Sequence, residues 1–236
     1  GKRCFIIGNG PSLNKHRLNL LLDEYSFGVN GIFYKTDETG FIPSFYVVED
    51  NMVMKENIDR IISYRPRIRK FFPKDYAKLH PKDGKTSFFS MNRDFYTKGS
   101  SFYEVPQFSL DASEQIYCGQ SVTIMNLQLA YYMGFREVYL IGMDFEYKLN
   151  TDTQIVQSKS VHILSQGDDE NHFHKEYFGK GKTWKDPKLH NVEASYRKCK
   201  EVFDGAGRRI FNASYGGKLE VFDRVDFDSL FSNNSL

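Results

Sequence analysis

Gly8-Asn9-Gly10-Pro11-Ser12-Leu13 is the stretch on which the fold turns. An apolar run, Arg3-Cys4-Phe5-Ile6-Ile7, precedes it and reads as a buried parallel strand. Residues 14–23 follow, with Leu18, Leu21 and Leu22 at near-helical spacing. The motif therefore falls at the carboxyl end of a first strand, where open α/β sheets bind ligands. Gly8 and Gly10 carry no Cβ and let a ligand approach the backbone. Pro11 suits a first helical turn, where a missing N–H costs little. The freed N–H groups of such a helix start attract an anion. Asn9 adds a side-chain donor and acceptor at the same point. A plain Gly-rich turn between strand and helix has the same spelling. The stretch is neither a Walker loop, since no Gly-Lys-Ser/Thr follows, nor a Gly-x-Gly-x-x-Gly fingerprint.

Further strands alternate with helices around it. Residues 26–30 and 44–48 read as second and third strands, rich in β-formers. Asn30 closes the second, and Glu49-Asp50-Asn51 begins the loop after the third. Residues 52–64 read as one helix with Ile58, Ile61 and Ile62 on one face, ended by Arg65-Pro66. The signal weakens from 68 to 115, where 68–72 and 88–91 are candidate strands and 98–105 is polar and aromatic. At 121–123 the pattern returns: Ser121 reads as the N-cap of a helix that buries Val122, Met125, Leu129 and Met133 and stops at Gly134. Residues 137–141 form a strand, and Gly142-Met143-Asp144-Phe145 its carboxyl-end loop. Residues 151–188 look inserted, polar and without a steady period, as functional lids or disordered segments are. A helix over 193–203, a strand over 209–212 and a small helix or tail over 219–231 complete the chain. The expectation is one α/β domain over 1–236: a Rossmann-like, mostly parallel sheet with helices on both faces and a lid insertion at 151–188.

Composition bounds the function. At 236 residues with 40% hydrophobic content, the chain can fill one core. A formal charge of +2 gives no reason to expect nucleic acid. Cys4, Cys118 and Cys199 form no Cys-x-x-Cys pair, and a reduced, cytoplasmic protein is the simpler reading. No apolar run approaches a membrane span; peripheral contact with the inner face of a membrane, a homo-oligomer and a longer parent chain stay open.

The chemistry-bearing residues fall on the loops. His162, His172, His174 and His190 cluster in sequence, but His172-Phe173-His174 fits zinc frameworks poorly. A general base suits one of them better, because imidazole titrates near neutrality. Asp144 and the Glu49-Asp50 pair end separate strands, where they bind ribose hydroxyls, hold a metal or cap helices. Tyr147 and Tyr177 flank or sit in the insert, placed to donate to a phosphate or simply to pack. No Asp-x-Asp pair of the kind that holds a divalent ion is present.

Gly8-Asn9-Gly10-Pro11-Ser12-Leu13 resembles the opening motif of the bacterial family 42 sialyltransferases. It is also similar to the wider superfamily of motility-accessory flagellin glycosyltransferases and archaeal hydroxymethylpterin diphosphokinases. Val29-Asn30-Gly31-Ile32-Phe33-Tyr34 resembles the sialyltransferases' Cys-Asn-Gln-Phe-Tyr. Met-Gly-Phe-Arg-Glu-Val-Tyr-Leu-Ile-Gly-Met-Asp-Phe, ending at Phe145, resembles their Leu-Gly-Tyr-Lys-Glu-Ile-Tyr-Leu-Ser-Gly-Ile-Asp-Phe. The spacing from His190 to Phe211 matches the family's distance from its base to its last strand. Residues 51–115 are unmatched. Ser121-Val122-Thr123 departs from the family's Thr-Ser-Gly, Glu146 displaces its Tyr after Asp-Phe, and Glu49-Asp50-Asn51 replaces its Asn after the third strand.

The resemblance implies an inverting, metal-independent glycosyltransferase. Its donor would be a CMP-linked keto-acid sugar (sialic acid, Kdo or related), its acceptor a surface polysaccharide, lipooligosaccharide or protein. No cofactor is expected beyond the donor. Nucleotide contacts are expected from Gly8, Asn9, Gly10, Ser12, Asn30, Ser121, Val122, Thr123, Gly142 and Asp144, and substrate contacts from Glu49, Asp50 and Asn51. His190 is the expected base, with His172 and His174 in reserve and Tyr147 and Tyr177 on the phosphate. The rival readings are an ATP- and Mg²⁺-dependent pyrophosphokinase and a non-catalytic nucleotide-sugar-binding module.

Overall fold

The computed structural model describes residues 2–80, 83–148, 154–157, 161–165 and 167–234. Its centre is β1 (Arg3–Ile7), an apolar strand whose successive side chains serve opposite faces. Cys4 and Ile6 join one core cluster, Phe5 and Ile7 the other. A strand buried on both sides has no polar alternation to show, which is why β1 reads as a continuous apolar run.

In chain order β2 (Tyr25–Val29), α1 (Ile32–Thr39), β3 (Phe45–Val47), α2 (Asn51–Glu56), α3 (Ile58–Ser63), β4 (Arg69–Pro73) and β5 (Thr86–Phe89) build outward from β1 on one side. The short strands β6 (Met91–Asn92) and β7 (Ile116–Tyr117) pair with each other apart from the main sheet. After α4 (Val122–Tyr132), the chain returns to the other edge of β1 as β8 (Glu137–Ile141). Three strands, β9 (Gln154–Gln157), β10 (Val161–Leu164) and β11 (Thr183–Lys185), form a small antiparallel sheet. Then α5 (Leu189–Gly205), β12 (Arg209–Asn212) and β13 (Asp223–Arg224) complete the main sheet in the order β13-β12-β8-β1-β2-β3-β4-β5. Every pairing within it is parallel. Helices α4 and α5 cover one face, and α1, α2 and α3 the other. The strand order reverses at β1, so a crevice opens at the carboxyl ends of β1 and its neighbours.

Several local expectations are corrected. Residues 14–23 are not one helix but belong to two 3₁₀ turns, Pro11–Lys15 and Leu18–Leu21. His16 and Arg17 interrupt them, with His16 buried and bridging the carbonyls of Ser12 and Ala213. The helix read over 52–64 is two helices broken at Asn57, whose φ of −126° leaves the helical region while its amide donates to the Val53 carbonyl. Helix α1 carried no clear sequence signal, although Gly40 ends it at φ +72°. Helix α4 is buried nearly all round rather than along one stripe. Its Gln128 is fully satisfied, accepting from the Ser109 and Tyr117 N–H groups and donating to the Tyr117 and Ile124 carbonyls. The tail over 219–231 holds β13 and a 3₁₀ turn, Asp228–Asn234. In the insertion at 151–188, positions 151–153, 158–160 and 166 lie outside the described residues; the rest includes β9, β10 and β11.

Candidate active site

The loops after β1 and β8 are built against each other. The Gly8 N–H donates to the Ile141 carbonyl at 2.8 Å, and the Gly10 N–H to the Gly142 carbonyl at 2.9 Å. A Cβ on Gly8 would stand 2.5 Å from the Gly142 oxygen, and one on Gly142, itself at φ +65°, 2.8 Å from the Gly8 oxygen. Both glycines are therefore required by this backbone contact.

Asp144 closes the arrangement. Its carboxylate accepts the Ser12 N–H at 3.2 Å and the Ser12 hydroxyl at 3.0 Å. The anion expected at the turn after Gly10 is thus the protein's own side chain, and Ser12 and Asp144 are engaged with each other. That turn is also a short 3₁₀ segment, too short to gather a helix dipole.

Next to these loops lies a cavity of about 790 Å³ at the carboxyl ends of the strands. Gly8, Asn9, Gly10, Asn30, Ser121, Val122, Thr123, Gly142 and Asp144 line it, as do Glu49, Asp50 and Asn51. Ser121 caps α4 by accepting the Thr123 N–H at 3.3 Å. Asp50 caps α2 by accepting the Met52 and Val53 N–H groups. Asn30 sits at φ +45°, with its carbonyl accepting the Tyr46 hydroxyl at 2.6 Å. The side-chain oxygens of Asn9 and Asn30 are buried and without partners among the described residues. Leaving such an acceptor unpaired costs about 1–3 kcal/mol, a cost that a ligand's hydroxyl or amino donors would remove.

Residues 167–182 pass over the Gly8 loop as a strap. The Phe173 N–H donates to the Asn9 carbonyl, and the Asn14 amide to the Phe173 carbonyl. Tyr177 is 6% exposed; its hydroxyl accepts from the Asn9 amide at 3.0 Å, and burial pushes its pKa well up. It is therefore occupied in orienting Asn9. Tyr147 stands at the rim, its ring near that of Trp184.

His172 is the histidine that lines the cavity among the described residues. Its Nδ1 lies 2.8 Å from the Asp169 carboxylate, and the two side chains are 10% and 5% exposed. Its ring stacks on Tyr177 with centroids 4.2 Å apart. Burial pushes Asp169 upward, but the His172 hydrogen bond and charge, with the Phe178 and Asn171 N–H groups, hold its carboxyl below the ordinary range. A carboxylate on Nδ1–H favours the neutral tautomer in which Nε2 is the acceptor. The expected base, His190, is not itself in the lining: it lies in the first turn of α5, exposed and near enough to Glu104 to favour its carboxylate, where the cavity wall is made by Lys188, Leu189 and Val192. His174 stacks on Tyr34 outside the lining.

The sequence reading missed a further part of the lining, made by Tyr76, Arg93, Tyr96, Lys98, Tyr103 and Glu104, with Trp184, Asp186 and Lys188. Turns without a period carry no signal of where they pack; the aromatic density of 94–103 was the sole clue. Among the described residues, no group of three or more His, Cys, Asp or Glu side chains could hold a metal ion.

A parallel sheet with its cavity at the strand-order reversal, walled by helix starts and glycine loops, defines a Rossmann-like α/β protein with a ligand-binding crevice at its switch point. Residues 1–150 match the family described as 6-hydroxymethylpterin diphosphokinase MptE-like, and the chain belongs to that family. Among solved structures it is similar to the MAf glycosyltransferase from Magnetospirillum magneticum AMB-1 (TM-score 0.55, 15% identity), over 97% of this chain and 34% of that one. The chain spans about a third of that protein's length, and the likeness is one of fold. No curated protein matches the chain.

Proposed function

We propose that the chain transfers a glycosyl group from a nucleotide-activated sugar to an acceptor hydroxyl, with a CMP-linked keto-acid sugar the first donor to test. The observation that carries this reading is the Asp169–His172 pair on the cavity wall. The nucleotide would lie between the Gly8 loop and the start of α4, giving donors to the unpaired oxygens of Asn9 and Asn30. A departing nucleotide phosphate needs little protonation, so the demanding proton is the one on the acceptor hydroxyl. His172 Nε2 would take that proton, and Asp169 would hold the ring and stabilise the imidazolium. The bond from anomeric carbon to phosphate oxygen breaks as the bond to the acceptor oxygen forms.

The family description favours a second reading, diphosphate transfer from ATP to a hydroxymethylpterin. The aromatic wall would suit a pterin, and the Mg²⁺ that such a reaction uses needs one or two carboxylates beside the substrate phosphates, for which Asp50 and Asp144 on the lining are the candidates. Calorimetric titration with CMP, CDP, UDP and ATP, each with and without Mg²⁺, separates the two. Metal-independent binding of CMP and release of CMP from a CMP-sugar are expected. Binding restricted to ATP with Mg²⁺ would replace the glycosyl reading with the kinase; binding without turnover of any donor would leave a nucleotide-sugar module.

A further inference from the structure

We infer that the β4–β5 end of the main sheet docks on an anionic lipid surface, with the strand amino ends toward the lipid. The first sign is in the sequence. Residues 60–85 hold nine lysines and arginines against two aspartates, in a chain whose formal charge is only +2, so the remainder is net negative. Charge asymmetry of this kind marks contact with a polyanion. The fold gathers part of it at one place. Strand β5 is the last of the main sheet and runs parallel to β4, so the segments that enter both strands meet at their amino ends. Arg65 and Arg67 stand exposed before β4, Arg69 opens it, and exposed Lys85 precedes β5. None of these four has an ion pair among the described residues; Arg60 pairs with Asp37, and Asp75 with Arg93. Lys70 turns inward onto the Ile61 and Ile62 carbonyls. The carboxylates at the same end are Asp23, Glu24 and Asp83. Glu24 is taken by Arg3, and Asp83 accepts the Lys85 N–H. Cations remain in excess.

Exposed aliphatic side chains lie among them. Leu22, Ile42 and Ile68 are 52%, 36% and 43% exposed. The Arg67 guanidinium donates to the Leu22 carbonyl, and its backbone N–H to the carbonyl of Pro43, next to Ile42. The Ile68 N–H donates to the Ser44 carbonyl. One arginine thus draws together three aliphatics from the entries to β2, β3 and β4. Carbonyl contacts leave its charge uncancelled. Cations that reach headgroup phosphates, beside aliphatics that enter the acyl boundary, are what a lipid surface binds. A nucleic acid would match the charge, but its phosphates and sugars offer the aliphatics no apolar partner. The geometry also sets an orientation. The cavity lies at the carboxyl ends of the strands, so docking by the amino ends turns its lining, Trp184 included, away from the lipid. The docking is independent of which transfer the cavity performs.

The test sediments the intact chain with vesicles of phosphatidylcholine alone, or of phosphatidylcholine with phosphatidylglycerol. Binding to the anionic vesicles only, weakening as salt is added, is expected. Arg65→Glu with Lys85→Glu should lower that affinity about tenfold or more, and Leu22→Ser with Ile68→Ser should do likewise. The matched reversal Lys198→Glu with Lys200→Glu, on α5 at the other end of the sheet, should change it less than about twofold. Each variant is first shown to melt as the wild type does; Lys85→Glu and Leu22→Ser alone serve where a pair does not fold. Trp184, the one tryptophan of the sequence, should keep its fluorescence on anionic vesicles containing brominated lipid. Equal binding to neutral vesicles, full affinity in both surface variants, an equal loss in the α5 variant, or quenching of Trp184 would overturn the inference. So would binding to duplex DNA without binding to vesicles, which would put a nucleic acid in place of the lipid.

Discussion

Gly8 and Gly142 hold the site together because their backbones touch. Gly8→Ala would drive a methyl group to 2.5 Å from a backbone oxygen that cannot swing aside. We expect it to destabilise the fold by about 1–3 kcal/mol, the range for overpacking, read from the urea midpoint. An unchanged midpoint would mean that the two loops separate freely. At the base, His172→Ala should lower kcat by roughly 10²–10⁴-fold while leaving nucleotide affinity nearly intact. His190→Ala, on the exposed turn of α5, should retain near-normal turnover. The opposite pattern would return the base to His190, in line with its spacing along the sequence.

At the scale of elements, the strap and strand β4 each contain a titrating group. Asp169 gathers the His172 ring and the Asn171 and Phe178 N–H groups, and its pKa is depressed in the fold. A depressed carboxyl stabilises above its unfolded value, about 3.9, and that contribution is lost as pH falls through the folded value. The strap should loosen in acid before the sheet does, with hydrogen exchange at the Asn171 and Phe178 amides rising first. Simultaneous loss of strap and sheet protection would argue against a separate strap. Lys70 on β4 behaves oppositely. It is buried, it donates to the Ile61 and Ile62 carbonyls at the end of α3, and burial first, then Arg65, lowers its pKa to about 8. A neutral amine has two N–H donors for those two acceptors. With the folded value below the unfolded one, the unfolded chain holds more protons between roughly pH 8 and 10.4, and stability rises with pH across that window. The stability difference between the wild type and Lys70→Met should therefore grow from about pH 7 to 10; a flat difference would place the charged form in the fold.

For the whole molecule, a ligand at the strand-order reversal ties together both halves of the sheet and the strap. CMP at about 100 times its Kd should add roughly 2.7 kcal/mol of stability. For a chain of this size each kcal/mol raises Tm by about 2–4 °C. The strap should also become more resistant to protease. No thermal shift at saturating CMP would mean that the native chain does not bind it.

The parallel sheet was legible from the sequence alone, since β1, β2, β3, β8 and β12 are apolar or β-rich runs bounded by turn residues. Gly8-Asn9-Gly10, Asn30, the Ser121 cap and the Gly142 loop were likewise legible, because each is a local pattern at a strand end or helix start. The signals of these features lie within a few residues of sequence, which periodicity and capping record. Three matters were decided only by the tertiary structure. Asp144 reaches Ser12 across the reversal of strand order and fills the turn that local reading left for a ligand. The strap brings His172, rather than His190, to the cavity. The aromatic and charged wall from 93–104 meets Lys188 through one ion pair between distant parts of the chain. Each joins residues far apart in sequence, and no spacing along the chain encodes which distant partner a loop side chain will meet once the sheet has formed.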